Sequence, residues 1–260
     1  MLLPRIIPCL LIKNKGLVKT VNFRNPKYIG DPINAVKIFN EKEVDELIVL
    51  DIDASVDKRQ PDYNMIQNIA EECRMPLCYG GGVKSVEQVE KIIGLGVEKV
   101  AISSAAIDNP GLIEKASKCV GNQSIVVILD IKKRLFGNNY NIWLKNAMEK
   151  TRKDPIEFAI ELEQLGAGEI VLNSIDKDGT MNGYDITLIE KLINSMSIPI
   201  TVLGGAGSLK DIGSLISKFG LVGAAAGSLF VFKGAYRAVL INYPSRAEKE
   251  AMLSENYSEA

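Results

Sequence analysis

The stretch "DELIVLDID" (residues 45–53) decides the fold, because the chain repeats it as "AGEIVLNSID" (residues 167–176). The glutamates and the final aspartates of the two copies align at a shift of 123 residues. The same shift aligns "MPLCYGGGVKS" (residues 75–85) with "IPITVLGGAGS" (residues 198–208). Any two strand-and-helix units share hydrophobicity, but shared acidic positions at one shift favour a true half-repeat. The sequence therefore predicts a chain built from two similar halves.

Short apolar runs alternate with amphipathic stretches such as residues 86–96 and 154–166. The runs are β-branched and continuously apolar, which is typical of strands buried on both faces. Eight such strand-then-helix units in about 230 residues predict one α/β domain over residues 1–260, a closed (β/α)8 TIM barrel. The polar segment 245–260 is interpreted as a frayed C-terminal tail. The predicted strands are residues 5–12, 46–53, 75–81, 98–104, 124–130, 169–176, 198–205 and 221–228.

Composition argues against several classes of protein. The 260 residues carry a net charge of −1, and the basic residues are scattered, so nucleic acid is not the expected partner. The chain has no histidine, which excludes histidine-based catalysis and argues against a metal site; we expect no cofactor. There is no apolar run of about 18 residues and no signal peptide before the first strand, so we expect a cytoplasmic protein with no membrane partner.

Glycine-rich turns follow two of the predicted strands and precede small hydroxyl side chains. In a barrel of this type the active site lies at the carboxyl ends of the strands. Backbone N–H groups exposed in such turns bind anions, so two turns on opposite sides of the mouth predict a substrate with two phosphates. The alternative is that the glycines only form tight turns. The candidate phosphate-binding residues are Gly81, Gly82, Ser103, Ser104, Gly179, Gly204, Gly205, Gly227 and Ser228.

Carboxylates are also expected around the mouth. Asp130 follows five apolar residues, so burial should raise its pKa toward the range that a general acid or base needs. The half-repeat aligns "CLLIKNKG" (residues 9–16) with "ILDIKKRL" (residues 128–135), which places Leu11 opposite Asp130. The other carboxylates at strand ends are Asp51, Asp53, Asp176 and Asp178. For Asp53 and Asp176, turn and cap chemistry explains the positions equally well.

Charged residues at the strand starts predict a second feature. Arg5, Glu46, Lys99 and Glu169 stand at the starts of the first, second, fourth and sixth strands. The starts of barrel strands converge, and the two glutamates are related by the half-repeat with two cations between them. The sequence therefore predicts a closed ring of charges that plugs the bottom of the barrel.

These motifs resemble the cyclase subunit family of imidazole glycerol phosphate synthase, over about residues 5 to 235. The motifs are "RIIPCL", "VNF" followed by "GDP", "YGGGVKS", "LGAGEIVLNSIDKDGT" and "GGAGSL". The resemblance implies a (β/α)8 barrel that works with a separate glutaminase, which docks at the bottom and releases ammonia. Ammonia then passes a gate of four charges and meets a bis-phosphorylated substrate, where two aspartates act as acid and base. The products are imidazole glycerol phosphate and a carboxamide ribonucleotide.

Carried over residue by residue, the resemblance matches the gate with the four charges at the strand starts. It matches Asp130 with one catalytic aspartate and puts Leu11 where the other should be. Further departures are Ser103 for the usual asparagine, Asn173 for a threonine and Leu203 for a serine; residues 132–154 do not show the usual loop pattern. The implied glutaminase-binding surface lies near Arg5, Glu46, Glu98, Lys99, Gln123 and Glu169.

A divergent branch of the family resembles the chain more closely, through "NEKEVDEL", "CYGGG" and "GSLFVF". Members of that branch accompany surface-polysaccharide genes, which implies ammonia delivery to a third protein, a sugar amidotransferase that makes an acetamidino group. Two alternatives remain open. One is a working cyclase of histidine biosynthesis in which Asp51 or Asp178 replaces the missing acid. The other is a non-catalytic regulator that binds a phosphorylated metabolite. The chain contains no Gly-x-Cys-x-Gly turn, so use of glutamine requires a partner.

Overall fold

The architecture is a parallel barrel wrapped by helices, seen in a computed structural model that describes residues 3–135, 137, 139–234 and 236–257, with side chains up to residue 252. The strands are β1 (Arg5–Lys13), β2 (Gly16–Val21), β3 (Arg24–Gly30), β4 (Leu47–Asp51), β5 (Leu77–Gly80), β6 (Lys99–Ile102), β7 (Ile125–Lys133), β8 (Tyr140–Leu144), β9 (Glu149–Lys150), β10 (Glu169–Ser174), β11 (Ile200–Leu203), β12 (Gly223–Ala226), β13 (Phe232–Lys233) and β14 (Ala238–Val239). The helices are α1 (Pro32–Glu41), α2 (Tyr63–Glu72), α3 (Val86–Gly94), α4 (Ser104–Asp108), α5 (Gly111–Val120), α6 (Pro155–Gln164), α7 (Ile186–Ile193), α8 (Leu209–Phe219), α9 (Ser228–Val231) and α10 (Arg246–Tyr257), with a 3-10 turn at Asn122–Ser124.

Eight parallel strands close into the barrel. Their order is β10-β11-β12-β1-β4-β5-β6-β7, and β7 pairs with β10 to complete the circle. The prediction of a (β/α)8 barrel is confirmed, and each of the eight predicted runs overlaps one barrel strand, with β1 and β7 continuing past the ends of their runs. Several runs extend past the strand at both ends, because the polar and glycine residues there belong to the connecting turns.

The helices begin where the sequence supplies a side-chain acceptor. Asp31, Asp62, Ser85, Asp154 and Asp185 each accept a hydrogen bond from a backbone N–H in the first turn of the following helix. Such caps satisfy N–H groups that have no partner inside the helix. The apolar face of each helix then packs on the outside of the barrel, in a core that is separate from the one inside the barrel.

Alternation along the strands sets which side chains face the barrel axis. Ile7 and Cys9 of β1 belong to the interior cluster, and Leu11 packs against it, whereas Ile6 and Leu10 belong to the outer core. Successive side chains of a strand point to opposite faces, so each barrel strand contributes one inward column. These columns position the functional residues described below.

The half-repeat is visible in the strand register. Leu11 pairs with Leu50 between β1 and β4, and Asp130 pairs with Asn173 between β7 and β10. The residues of one pair therefore occupy the places of the other in the second half-barrel. Two residues separate β1 from β2, whereas six separate β7 from β8. The second half-barrel therefore has a four-residue insertion in this connection.

Hairpins above the barrel were not predicted from the sequence. Strand β1 continues beyond the barrel and pairs antiparallel with β2, which pairs with β3; β7 does the same with β8, which pairs with β9. Part of the segment interpreted as a loop, residues 132–154, is thus a hairpin. Its polar and apolar residues are too mixed to give a strand pattern.

The C-terminal segment also differs from the expectation of a frayed tail, because residues 246–257 form α10. Ser245 and Glu248 exchange hydrogen bonds, with the Ser245 backbone N–H donating to the Glu248 carboxylate and the Glu248 N–H to the Ser245 hydroxyl. This capping box starts the helix, and Lys249 then pairs with Asp45 at 2.7 Å. Throughout the part of the chain described, each helix is too short or too polar to cross a membrane.

Candidate functional site

A single cavity opens at the carboxyl ends of the barrel strands. Its empty volume, including the open mouth, is about 1220 Å³. Most of the mouth residues singled out in the sequence line this one cavity. They are Leu11, Asp51, Gly81, Gly82, Ser103, Ser104, Asp130, Asp178, Gly179, Gly204, Gly205, Gly227 and Ser228. Asp53 and Asp176 do not line it.

The two glycine turns are built alike in the two half-barrels. A Cβ on Gly81 would lie 2.5 Å from the Asp51 carbonyl oxygen, and a Cβ on Gly204 would lie 2.8 Å from the Ser174 carbonyl oxygen. Both glycines also have positive φ, +128° and +95°. Close packing of the neighbouring strand end therefore requires glycine at both positions, whether or not a phosphate binds there.

The serines of the predicted phosphate sites follow their strands rather than belonging to them. Ser103 precedes α4 and Gly227 precedes α9, and neither helix start has a side-chain cap. In the described structure the backbone carbonyls of Ser103 and Gly227 accept from Ala106 N–H and Phe230 N–H, and no N-cap side chain accepts from either first turn. Helix α4 follows β6 and helix α9 follows β12, and these two strands lie on opposite sides of the barrel.

Asp130 lies at the floor of the cavity, bonded to one neighbour. Asn173 Nδ2 donates to Asp130 Oδ1 at 2.8 Å. Burial raises the pKa of Asp130 to about 7, against the opposing effect of the Asn173 hydrogen bond. At neutral pH this carboxyl group can both donate and accept a proton. Asn173 is buried, and its Oδ1 has no hydrogen-bond partner within the described structure.

Leu11 occupies the equivalent place in the first half-barrel. It packs with Leu50 against the apolar interior cluster, which includes Cys9, Ile128 and Leu203. The side chain opposite Asp130 therefore cannot transfer a proton. The polar pair Asp130–Asn173 of the second half corresponds to an apolar pair in the first.

Lys19 lines the cavity as well, and sequence reasoning missed it. Its Nζ donates to the Cys9 carbonyl oxygen, and a Cβ at Gly227 would collide with that nitrogen. Burial lowers the pKa of Lys19, against the opposing influence of Asp178. The signal was present in "GLVKTV" (residues 16–21), where a lysine interrupts a strand-like apolar run.

The remaining carboxylates differ in their surroundings. Asp178 accepts from the Thr20 hydroxyl at 2.7 Å and the Phe23 N–H at 3.0 Å, while burial raises its pKa. Asp51 instead holds the turn after β4, since its Oδ1 accepts from two backbone N–H groups and its carboxylate pairs with Arg59.

Asp53 and Asp176 have structural partners outside the cavity. Asp53 forms an ion pair with Lys13 at 3.0 Å. Asp176 accepts from the Lys133 backbone N–H at 2.8 Å. Both carboxylates thereby tie a barrel turn to the strand extension beside it, in equivalent positions of the two halves.

At the opposite end, four charged side chains form a closed ring. Arg5 pairs with Glu46 and, at 2.8 Å, with Glu169; Lys99 pairs with each glutamate at 2.8 Å. Thr201 Oγ1 also donates to Glu169 at 2.5 Å. Burial opposes ionisation of Glu169, but both cations together lower its pKa below the ordinary value. The glutamates raise the pKa of Arg5 and Lys99 in spite of burial. Arg5, Lys99 and Glu169 therefore stay charged at neutral pH.

The ring closes the lower end of the barrel as the cavity opens the upper end. A sequence with this ring, this cavity and this internal repeat matches a family model described as "Histidine biosynthesis protein" over residues 5–237. The chain belongs to this family. Within the family, its relatives place it among the HisF-type subunits of imidazole glycerol phosphate synthase.

Three relatives show the extent of this similarity. A Vibrio vulnificus protein with the provisional name imidazole glycerol phosphate synthase subunit hisF3 is 58% identical over 253 residues, 97% of each chain. A Leptospira interrogans protein, provisionally named as the HisF subunit, is 54% identical over 252 residues, 97% of this chain and 99% of its own. The imidazole glycerol phosphate synthase subunit HisF of Lactococcus lactis subsp. cremoris is 42% identical over 230 residues, 88% of this chain and 89% of its own.

The face around the ring of this HisF-type subunit has exposed residues of several kinds. Glu98 and Gln123 are exposed there, and Glu98 also accepts from the Leu77 backbone N–H at 2.8 Å. Leu3 and Leu221 are exposed as well. Both lie near the ring, because the Arg5 backbone N–H donates to the Val222 carbonyl oxygen and joins the two chain segments there. Apolar and charged side chains thus surround the ring, as is common where another protein binds.

Proposed function

We propose that this HisF-type subunit receives ammonia from a partner glutaminase at the charged ring and conducts it to a sugar amidotransferase in surface-polysaccharide synthesis, where an acetamidino sugar is made. One observation carries the proposal. The ring at the bottom is complete, whereas Leu11 replaces one of the two carboxylates expected at the top.

The inward columns support a route between the two ends. Each ring residue starts a column that continues with apolar side chains, such as Arg5, Ile7 and Cys9 on β1, or Glu169 and Val171 on β10. Neutral ammonia crosses an apolar interior far more readily than a charged ion does, because burying an unpaired charge is costly. A complete ring of ion pairs at the entrance and an apolar interior above it suit a gate for a small neutral molecule.

The cavity argues against an ordinary cyclase. General acid–base catalysis by one group contributes about 10²–10⁴-fold to a rate. Leu11 cannot transfer a proton, so the cyclase reaction should be impaired by a factor of this order. Asp130 and Lys19 remain in the cavity, but these two residues do not restore a second carboxylate.

A working cyclase is the second candidate, and Asp178 is the observation that favours it. This carboxylate lines the cavity, its pKa is raised, and it lies close enough to Lys19 to influence its charge. Asp178 would then act with Asp130 as the acid–base pair. Asp51 is less suited to this role, because Arg59 and two backbone N–H groups already hold its carboxylate. A non-catalytic regulator would have no use for the ring.

The deciding experiment measures ammonia-dependent turnover of the bis-phosphorylated substrate of imidazole glycerol phosphate synthase. Purified wild type is compared with Leu11→Asp, and Leu11→Asn serves as the control that adds a polar group without a carboxylate. We expect the wild type and Leu11→Asn to be inert or nearly so, and Leu11→Asp to gain activity. Enzyme-like turnover by the wild type that Asp178→Asn abolishes would instead establish the cyclase with a relocated acid.

The ring is tested separately with the partner glutaminase. Glutamine-dependent transfer of nitrogen should require both proteins and should fall in Lys99→Met, which opens the ring. Equal transfer by Lys99→Met and wild type would remove the ring from the route of ammonia.

A further inference from the structure

Three hairpin segments, which follow β1, β7 and α9, reach the mouth of the barrel, and together we call them the collar: residues 16–30, 132–153 and 232–243. The third segment then returns toward the barrel bottom, where the Tyr243 hydroxyl donates to the Ile6 carbonyl oxygen. Phe23 of the first segment and Lys145 of the second line the cavity. Arg237 of the third donates to the Gly179 carbonyl oxygen at 2.8 Å, and Gly179 also lines the cavity. Each collar segment therefore reaches the opening.

The collar carries a charge very different from the rest of the chain. It holds 12 basic residues and one acidic residue, Glu149, whereas the remainder of the chain holds 19 basic and 31 acidic residues. The net charge of −1 for the whole chain hides this asymmetry. A field of this kind attracts an acidic partner and accelerates its association.

Most of these basic groups are exposed and have no acidic partner. Among the described residues, only Lys145 and Lys153 of the collar form ion pairs, with Glu149 and Glu161. The exposed basic residues of the collar are Arg24, Lys27, Lys133, Arg134, Lys150, Arg152 and Lys233. The collar thus presents exposed basic side chains that form no ion pair with a described carboxylate.

The same segments expose large apolar side chains. Tyr28 is 67% exposed, Leu135 96%, Met148 61% and Tyr236 98%. Val239 and Leu240 of the third segment are about half exposed. Apolar side chains of this size rimmed by charge mark surfaces that bind other proteins.

We propose that the collar is the docking surface for the enzyme that consumes the ammonia, and that this enzyme meets it with an acidic surface bearing apolar pockets. The inference rests on the proposed function. Ammonia that escapes into bulk water is protonated and ceases to be a nucleophile, so its consumer must cover the mouth. The three collar segments reach this opening from two opposite sides, since β12 and β1 are neighbours and β7 lies across the barrel.

Other anionic partners fit the collar less well. A small phosphorylated substrate would use the glycine turns inside the cavity and would leave Leu135 and Tyr236 in water. An anionic membrane or a nucleic acid would match the charge, but neither accepts ammonia at the mouth. Charge, apolar exposure and position together favour an acidic protein.

The test reconstitutes this chain with the partner glutaminase and the sugar amidotransferase and supplies glutamine labelled with ¹⁵N in its side-chain amide. The collar variant Arg24→Glu/Lys133→Glu/Lys233→Glu reverses one exposed charge in each segment. The matched control is Lys37→Glu/Lys115→Glu/Lys218→Glu, which makes the same change in net charge on exposed lysines of α1, α5 and α8. Melting temperatures verify that both variants fold.

We expect the collar variant to hydrolyse glutamine at the wild-type rate but to place at least tenfold less ¹⁵N in the sugar, with the balance released as free ammonia. Raising the amidotransferase concentration should restore transfer, and the control should match the wild type. Equal transfer by the collar variant would overturn the proposal, as would wild-type binding to phosphatidylglycerol vesicles that the collar variant loses while transfer is unchanged. If even the wild type passes no nitrogen to the sugar, the proposed function itself fails.

Discussion

The two ends of this barrel hold buried charge in opposite ways. At the bottom, two cations and two carboxylates alternate in a closed ring, and the pKa of Glu169 lies below its ordinary value. At the top, Asp130 has only the amide of Asn173 beside it, and its pKa rises to about 7. A barrel interior keeps a carboxylate ionised only where cations surround it. The bottom is therefore permanently charged, while the top can change its charge near neutral pH.

The largest expected effect comes from opening the ring. Arg5→Met leaves Glu46 and Glu169 with Lys99 as their one remaining cation. Breaking a buried ion pair costs about 3–5 kcal/mol, and we expect the lower figure because the Arg5 side chain is 27% exposed. Urea unfolding measures the loss. Lys118→Met, which removes an exposed ion pair with Glu114, is the control. Its free energy of unfolding in urea should equal that of the wild type. A loss below about 1 kcal/mol for Arg5→Met would mean that the ring is not held by these charges.

The second prediction uses the raised pKa of Asp130. The folded state keeps its proton up to about pH 7, whereas the unfolded chain releases it near pH 4, so stability falls as pH rises between these values and then levels off. Between pH 5 and pH 8 the change attributable to this group is about 2.5 kcal/mol. Asp130→Asn removes the dependence, so its stability relative to wild type should grow from pH 5 to pH 8. A difference that stays constant over this range would show that Asp130 is ionised throughout.

The barrel strands, the half-repeat and the charged ring could all be predicted from the sequence. The strand runs are buried on both faces and therefore carry a strong signal, and the repeat placed Leu11 opposite Asp130 before any register was known. The four ring residues were found because each starts a strand. These features depend on period and position along the chain, which a single sequence records directly.

Other features depend on contacts between distant segments. Lys19 reaches the cavity because β2 folds back over the ends of the barrel strands, and no local pattern shows this. The collar was missed because its three segments are far apart in the chain and each has a mixed composition. The start of α10 was readable, since "SRAE" (residues 245–248) is a capping-box pattern, but the helix is too polar to give an apolar period.

The third prediction copies the Asp130–Asn173 pair of the second half-barrel into the first half-barrel. Leu11→Asp places a carboxyl group in an apolar site and should cost about 2–4 kcal/mol at pH 8. Adding Leu50→Asn copies the Asp130–Asn173 pair and should recover about 1.5 kcal/mol through the new hydrogen bond. A double-mutant cycle measures this coupling. Additive costs would show that register alone does not bring the two positions into hydrogen-bond contact.

The smallest effect is expected from Asn173→Leu, which removes the hydrogen bond that favours the ionised form of Asp130. A hydrogen bond to a charged acceptor contributes about 1.5 kcal/mol, so the pKa of Asp130 should rise by about one further pH unit. The pH at which stability levels off should move upward by the same amount. Asn141→Leu is the matched control: Asn141 is also buried, but it bonds to Arg134 and the Thr151 carbonyl, away from Asp130. If both variants shift the plateau equally, the shift reports lost packing, and the amide of Asn173 does not tune the carboxyl group at the top of the barrel.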